Sequence, residues 1–318
     1  MPRVTVLMSV WNGERFVGET IRSILGQTFE DFEFLILDNA STDRTPEVIG
    51  KFDDPRVKVV SLAENIGLTG ALNLGLTKAA GRYVARIDAD DLADPARLRS
   101  QVEFLESRPD VVMVGSWFDV IDDAGGLIGT HEGPQEHDDI VSYMLFENPF
   151  GHSTVMYERE AVAGVGGYNT SYQYAQDQAL WWSLSEKGKL AILPKTLARI
   201  RSHVGQASRS VGRQWAEEPY EILEEVIGSR SAYRVLPSTK RKALAHGLIE
   251  RGARLVELGF RIEGIGDVLK GIRLAPRQVT EPRDIRQVLS AILGRSAYGK
   301  LCTLKALCGP RVLTTGSS

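Results

Sequence analysis

Arg86-Ile87-Asp88-Ala89-Asp90-Asp91 follows the apolar run Tyr83-Val84-Ala85 and precedes Leu92-Ala93-Asp94-Pro95, which sets an acidic loop between a buried strand and the next helix. Asp94 and Pro95 have the chemistry of an N-cap and a first helical turn. Three carboxylates therefore gather at one strand end. Like charges this close raise each other's pKa unless a cation neutralises them, and oxygen donors without nearby His or Cys favour a hard divalent ion, Mg2+ or Mn2+. On these residues alone, an acidic loop that merely caps a helix is an equal reading.

The residues upstream repeat one pattern. Val4 to Val10 is a β-branched run suited to a fully buried parallel strand and ends in the turn Asn12-Gly13. Glu14 to Leu25 carries Phe16, Val17, Ile21, Ile24 and Leu25 at helical spacing. Phe32 to Leu37 is a second strand, after which Ser41 or Thr42 is expected to cap a helix through Val48 and Ile49. Val57 to Val60 is a third strand, and Thr69 to Ala80 a helix stopped by Gly81. Alternation of this kind implies a mostly parallel sheet with helices on both faces, whose ligands bind at the carboxyl ends of the strands. Asn12-Gly13, Asp38-Asn39, Asn65 to Gly67 and Asp88 to Asp91 all fall at such ends. None of them carries Gly-x-Gly-x-x-Gly or Gly-x-x-x-x-Gly-Lys, so phosphate binding would rest on a metal and not on a glycine-rich nest.

Taken together, Val6-Leu7-Met8-Ser9-Val10-Trp11-Asn12-Gly13, Ser23-Ile24-Leu25-Gly26-Gln27-Thr28, Leu37-Asp38-Asn39-Ala40-Ser41-Thr42-Asp43, Asn65-Ile66-Gly67 and Asp88-Ala89-Asp90-Asp91 closely resemble the family-two glycosyltransferases of GT-A fold. The resemblance is ordered and reaches about residue 210. It implies a Rossmann-like catalytic domain over 1–210, a mostly parallel central sheet with helices on both faces; the pattern over 211–318 is all-helical. It also implies inverting transfer of a single sugar from a nucleotide-diphosphate sugar, a UDP-sugar being favoured, with Mn2+ or Mg2+. Under it Asp38 contacts the base, Asp88 sits near the ribose, and Ser9, Asn12 and Asn65 belong to the donor site. Asp90 binds the metal, with Asp91 beside it. Asn39 stands where many members have a second Asp.

Downstream, Pro95 to Glu106 reads as a helix and Val111 to Trp117 as a strand, with Asp122 to Gly126 turning into Leu127-Ile128-Gly129. Asp138 to Phe146 is a further helix, Val155-Met156-Tyr157 a strand, and Gly166-Gly167-Tyr168 a tight turn. In the resembled family the general base is an acid opening a helix after such a turn, commonly written Glu-Asp. Here the pair is Gln176-Asp177, which makes Asp177 the expected base. Leu190 to Leu193 and Leu197 to Ile200 read as two closing strands. The Arg-x-His that follows resembles a family feature near the diphosphate, which implies that Arg201 or His203 neutralises phosphate, or that His203 adds a metal ligand. Gln-x-x-Arg-Trp, the processive-synthase pattern, is absent.

At 318 residues and 43% hydrophobic, the chain is long enough for a large α/β unit with an appendage. No stretch resembles a signal peptide or a membrane span, so the expected location is cytoplasmic. Cys302 and Cys308 fit no common zinc spacing. Residues 1–211 hold 20 Lys+Arg against 30 Asp+Glu, which argues against nucleic acid as a partner. Residues 212–318 hold 18 against 11 and read as helical throughout. Lys242 to Pro276 resembles one tetratricopeptide-like hairpin, which cannot bury its own face and so is expected to pack on the transferase domain or on another subunit of a homo-oligomer. Over 285–318, an apolar stripe (Ile285, Val288, Leu289, Ile292, Leu293) and five basic side chains without an acidic one suit peripheral contact with the inner face of the plasma membrane, where a glycan or lipid-linked acceptor would be met; the competing reading is that the stripe packs on the catalytic domain or a partner subunit and the charges are a solvated face. Two rivals stand beside the transferase reading. A sugar nucleotidyltransferase needs a basic Gly-rich loop that Ser9 to Gly13 lacks, and a non-catalytic nucleotide-sugar scaffold would not need Asp88, Asp90 and Asp177.

Overall fold

The computed structural model describes residues 1–203, 212–229, 236–276, and residues 285, 287 and 288. β1 (Val4–Val10) and β2 (Phe32–Asp38) are buried at every residue, as expected for strands covered on both faces. With β3 (Val57–Ser61) and β4 (Tyr83–Arg86) they form a parallel set in the order β3-β2-β1-β4. Helix α1 (Val17–Leu25) sends Val17, Ile21 and Ile24 into this core. The short α2 (Thr45–Ile49) and α3 (Gly67–Lys78) complete the crossovers. Neither Ser41 nor Thr42 caps α2. Asp43 Oδ1 accepts the Thr45 N–H instead, and Ser41 and Thr42 are drawn across to Asn12.

After the acidic loop come β5 (Leu92–Ala93) and α4 (Arg97–Ser107), which starts later than Pro95 because Asp94 Oδ1 first takes the Ala96 N–H. Then follow β6 (Val111–Ile121), β7 (Leu127–His131), α5 (His137–Met144), a 3₁₀ turn over His152–Thr154, and β8 (Met156–Glu158). The unit closes with α6 (Arg159–Ala163), α7 (Gln176–Ser185) and β9 (Lys189–Arg201). β8 runs antiparallel to both β4 and β6 and joins the parallel half to a mixed half, giving β3-β2-β1-β4-β8-β6-β9-β5 with β7 beside β6. The two closing strands expected from sequence are a single strand. Its irregular middle is absorbed by register shifts opposite Ser116, Trp117 and Phe118 rather than by a turn.

The chain divides into two compact units, Met1–Arg209 and Ser210–Ser318. The second is helical among its described residues: α8 (Arg213–Gly228), α9 (Pro237–Glu257) and α10 (Arg261–Leu274). α9 and α10 approach so closely that a Cβ on Gly252 would lie 2.4 Å from the Gly264 carbonyl oxygen, so only glycine fits. Val288 packs on the small core around Ala253 and Val268. Leu289, Ile292 and Leu293 of the expected stripe, and Cys302 and Cys308, lie outside the described residues. No described helix is long and apolar enough to cross a membrane.

Candidate active site

The ends of β1 and β2 are stitched by side chains that satisfy loop backbone. Asn12 Oδ1 accepts the Thr42 N–H at 2.8 Å, the Asn12 N–H donates to Ser41 Oγ at 3.0 Å, and Asp38 Oδ1 accepts the Ser41 N–H at 3.1 Å. Asn12 (φ 54°) and Ala40 (φ 60°) both occupy the left-handed region, at a cost of about 1 kcal/mol or more each. Asn39 is turned the other way. Its Nδ2 donates to Asn65 Oδ1 at 3.0 Å and its Oδ1 accepts the Ile66 N–H at 3.0 Å, clamping the loop that opens α3. Asp38 and Ser9 are buried at this edge, Ser9 paired in register with Leu37, while Asn65 is exposed.

The acidic loop rests on two buried guanidinium groups. Arg86 lies at the end of β4, with its NH2 2.5 Å from Asp88 Oδ1 and its NH1 on the Ile87 carbonyl. Arg97 donates to the Arg86 carbonyl at 2.8 Å and to the Val155 carbonyl at 3.0 Å. Burial first and the Arg86 charge second push Arg97 down to about 9. Burial works against the charge on Asp88, but the adjacent Arg86 outweighs it and holds that carboxyl below the usual range. Asp90 is pushed up, by burial and then by the charge of Asp88.

Asp90 and His203 meet: His203 Nε2 is 2.9 Å from Asp90 Oδ2, with the Phe16 ring 5.0 Å from the imidazole. A carboxylate whose charge is opposed by burial and by a second carboxylate, facing an imidazole nitrogen, suits a divalent cation. Among the described residues no three His, Cys, Asp or Glu side chains form a complete cage, so such an ion would take most of its ligands from a bound substrate.

Two expected contacts are corrected by burial. Asp91 is not free to join the metal: its Oδ1 accepts the Arg201 N–H at 2.8 Å, and its Oδ2 takes the Ser153 hydroxyl. Burial, then Asp90 and Asp88, hold it well above the carboxylate range. Arg201 is 2% exposed and is not directed at a diphosphate. Its guanidinium donates to the carbonyls of Asp90 (3.0 Å), Asp122 (3.3 Å) and Asp123 (3.0 Å) and to Glu19 Oε2 (2.8 Å), over the Phe16 ring. It builds the platform under Asp90.

Asp177 stands in the first turn of α7, half-buried. Its Oδ1 accepts the Gln178 N–H at 2.7 Å and its Oδ2 accepts Asn148 Nδ2 at 3.0 Å. Burial outweighs these donors and pushes the carboxyl up to about 6. The preceding turn is held from α3. Asn73 Nδ2 donates to the Tyr168 carbonyl at 2.8 Å and Asn73 Oδ1 accepts the Tyr168 N–H at 2.8 Å. Gly167 has φ 80°, and a Cβ there would lie 2.6 Å from that amide oxygen, which explains the Gly166-Gly167 pair. His152 Nε2 is 2.9 Å from the Tyr168 hydroxyl, and burial and the Arg86 charge lower its pKa to about 3, so it is neutral.

Sequence reasoning missed Arg86, Asn148 and Ser153 as site residues. Ser153 Oγ accepts the Asp88 N–H at 2.9 Å and lies 3.2 Å from Asp88 Oδ2. Residues 148–154 thus reach Asp177 at one end and Asp88 and Asp91 at the other. The only local signal was that Asn, His and Ser cluster in six residues between an apolar helix and a buried strand.

The Glycosyl transferase family 2 model matches residues 5–166. An uncharacterized glycosyltransferase of Haemophilus influenzae is 33% identical over 242 residues, spanning 71% of this chain and 73% of that protein. The Escherichia coli protein WfaP, named as a UDP-Glc:alpha-D-GlcNAc-diphosphoundecaprenol beta-1,3-glucosyltransferase, is 29% identical over 241 residues, 74% of this chain and 91% of its own. Among solved structures, TarS residues 1–349 of S. aureus, in complex with UDP-GlcNAc, superpose with a TM-score of 0.66 at 18% identity, over 94% of this chain and 88% of that one. The last is a likeness of fold, the GT-A arrangement expected from the sequence.

Proposed function

This chain belongs to glycosyl transferase family 2, and from that premise we propose that it moves one sugar from a nucleotide-diphosphate sugar, a UDP-sugar by preference, to a glycan or lipid-linked acceptor with inversion at the anomeric carbon. The observation that carries the reading is the pairing of two unlike carboxylate sites through residues 148–154. One is an acidic loop backed by buried arginines, and the other is a lone Asp177 with a pKa near 6. The names of WfaP and of the TarS complex support the uridine nucleotide, and the former supports a diphospholipid-borne acceptor.

In this reading Asp177, ionised at neutral pH, takes the proton of the acceptor hydroxyl while its oxygen attacks the anomeric carbon from the face opposite the departing diphosphate. Asp90 and His203 would hold a divalent cation, Mn2+ or Mg2+, which supplies neutralising charge to the diphosphate. Asp88, kept ionised by Arg86, faces the donor ribose, and the Asn12, Asp38 and Asn65 edge receives the nucleoside. Arg201 acts beneath the site by fixing the carbonyl of Asp90. The catalytic domain of the proposal is 1–210, and the helical region 211–318 serves acceptor delivery through a membrane surface or a second copy of the chain.

The test is a panel of UDP-, GDP- and dTDP-sugars offered to the purified protein with and without Mn2+, with the product's anomeric configuration read by proton NMR. Cation-dependent transfer with inversion supports the proposal. Retention of configuration, or full rate in chelator, removes the mechanism.

A further inference from the structure

Asp177 is held by more than its own helix. The Asn148 side chain bridges two elements: Nδ2 donates to Asp177 Oδ2 at 3.0 Å, while Oδ1 accepts the Phe150 N–H at 3.1 Å. That second bond fixes which way round the amide lies. A flipped amide would set its NH2 against the Phe150 N–H and its oxygen against a carboxylate, losing both bonds. Phe150 in turn packs against Trp181 of α7, with ring centroids 5.9 Å apart, so the segment carrying Asn148 is seated on the helix that carries Asp177. The Gln178 N–H occupies Oδ1 of the same carboxylate at 2.7 Å. Each oxygen therefore has one fixed donor and can accept one further hydrogen bond.

We infer that Asn148 is the positioning residue for the base. It clamps one oxygen of Asp177 in a fixed plane and supplies a neutral donor where any acceptor or acid would oppose the ionised form. The inference rests on Asp177 being the base. The titratable and charged groups that face Asp177 from neighbouring elements are Asp88, whose charge disfavours ionisation, and the Tyr168 hydroxyl. Against that background the Asn148 N–H is the side-chain donor on the carboxylate, and it favours the charged form.

The experiment compares wild type, Asn148→Asp, Asn148→Ala and Asp177→Asn by the pH dependence of kcat/KM, donor KM and thermal melting. Asn148→Asp keeps the acceptor for the Phe150 N–H but sets a carboxylate against Asp177. Its acid limb should move up by one pH unit or more, with a loss at pH 7 of about twofold for a one-unit shift and about tenfold for two, recovering toward pH 9, and with donor KM unchanged. Asn148→Ala should move the limb in the same direction by less. A uniform loss at every pH with the limb in place would mean a merely structural role and overturns the inference. If Asn148→Asp fails to fold, the Asn148→Ala limb decides by the same criterion. Asp177→Asn separates the two levels: a variant that stays active removes the base assignment itself. An inactive one alongside unmoved Asn148 limbs removes only the positioning role.

Discussion

His203 Nε2 lies 2.9 Å from Asp90 Oδ2 although 113 residues separate them, and Arg201 holds the carbonyl of the same Asp90 at 3.0 Å. One end of β9 thus delivers both the partner of this carboxylate and the support of its backbone.

Asp90→Ala should abolish turnover and weaken donor binding, because the pair loses its anionic member. His203→Ala should retain the fold and lose about 10- to 100-fold in Mn2+ affinity, comparable to losses seen when groups supporting a metal site are removed. Isothermal titration with Mn2+ in the presence of UDP checks both. Wild-type affinity in Asp90→Ala would remove the metal assignment.

Asp177→Asn should leave donor binding intact and cost roughly 10²–10⁴ in kcat, the share of a positioned base. Under the proposed mechanism, wild-type activity requires the ionised carboxyl, whose pKa is about 6. The rate should therefore be flat above pH 7 and fall about tenfold per unit below pH 5. The sign is opposite for stability. Because the native pKa lies above the ordinary value of 3.8, this group's contribution to folding is full below about pH 4 and is lost as pH rises through 6. A pH–rate profile with no acid limb would place the base elsewhere.

Arg201→Ala removes a guanidinium that is 2% exposed and takes the side-chain donor from the carbonyls of Asp90, Asp122 and Asp123, of which Asp122 keeps the Gly125 N–H. Glu19 is half exposed and regains water, so the loss comes mainly from the carbonyls and is on the order of 3 kcal/mol. Urea denaturation of the variant is the measurement. A change within 0.5 kcal/mol, about the usual range for exposed substitutions, would contradict the buried role.

The five basic residues from Arg286 to Arg311 should give reversible, salt-sensitive binding to anionic liposomes, with each contributing on the order of 1 kcal/mol near the surface. Val288 already packs within the helical unit, so the electrostatic part should dominate and disappear at high salt. Cosedimentation of the full chain and of a chain ending at Pro282 decides it. Absence of binding at low salt rules it out.

The parallel half of the sheet was legible because buried parallel strands are apolar at every position, as Val4–Val10 and Phe32–Asp38 are, and because polar turn residues mark their ends. The family motifs lie at those ends. What was not legible depends on partners distant in sequence. Arg201 beside a charged loop resembles a phosphate ligand until the carbonyls of Asp122 and Asp123, 79 and 78 residues away, are seen to occupy it. Asp91 cannot be told from Asp90 by composition; the Ser153 hydroxyl and the Arg201 N–H separate them. Leu190 to Leu193 and Leu197 to Ile200 read as two strands, whereas pairing with β6 tolerates a shifted register between them. Ser41 and Thr42 had suitable cap chemistry, but Asn12, from another loop, took their polar groups.

Helix α3 begins at Gly67, in the loop that Asn39 and Asn65 hold, and two turns later its Asn73 grips both backbone polar groups of Tyr168. A twelve-residue α-helix bends little over that span. The loop held by Asn39 and Asn65 and the turn that launches Asp177 are therefore tied to one rigid bar, so that a shift of either would load the other through the helix.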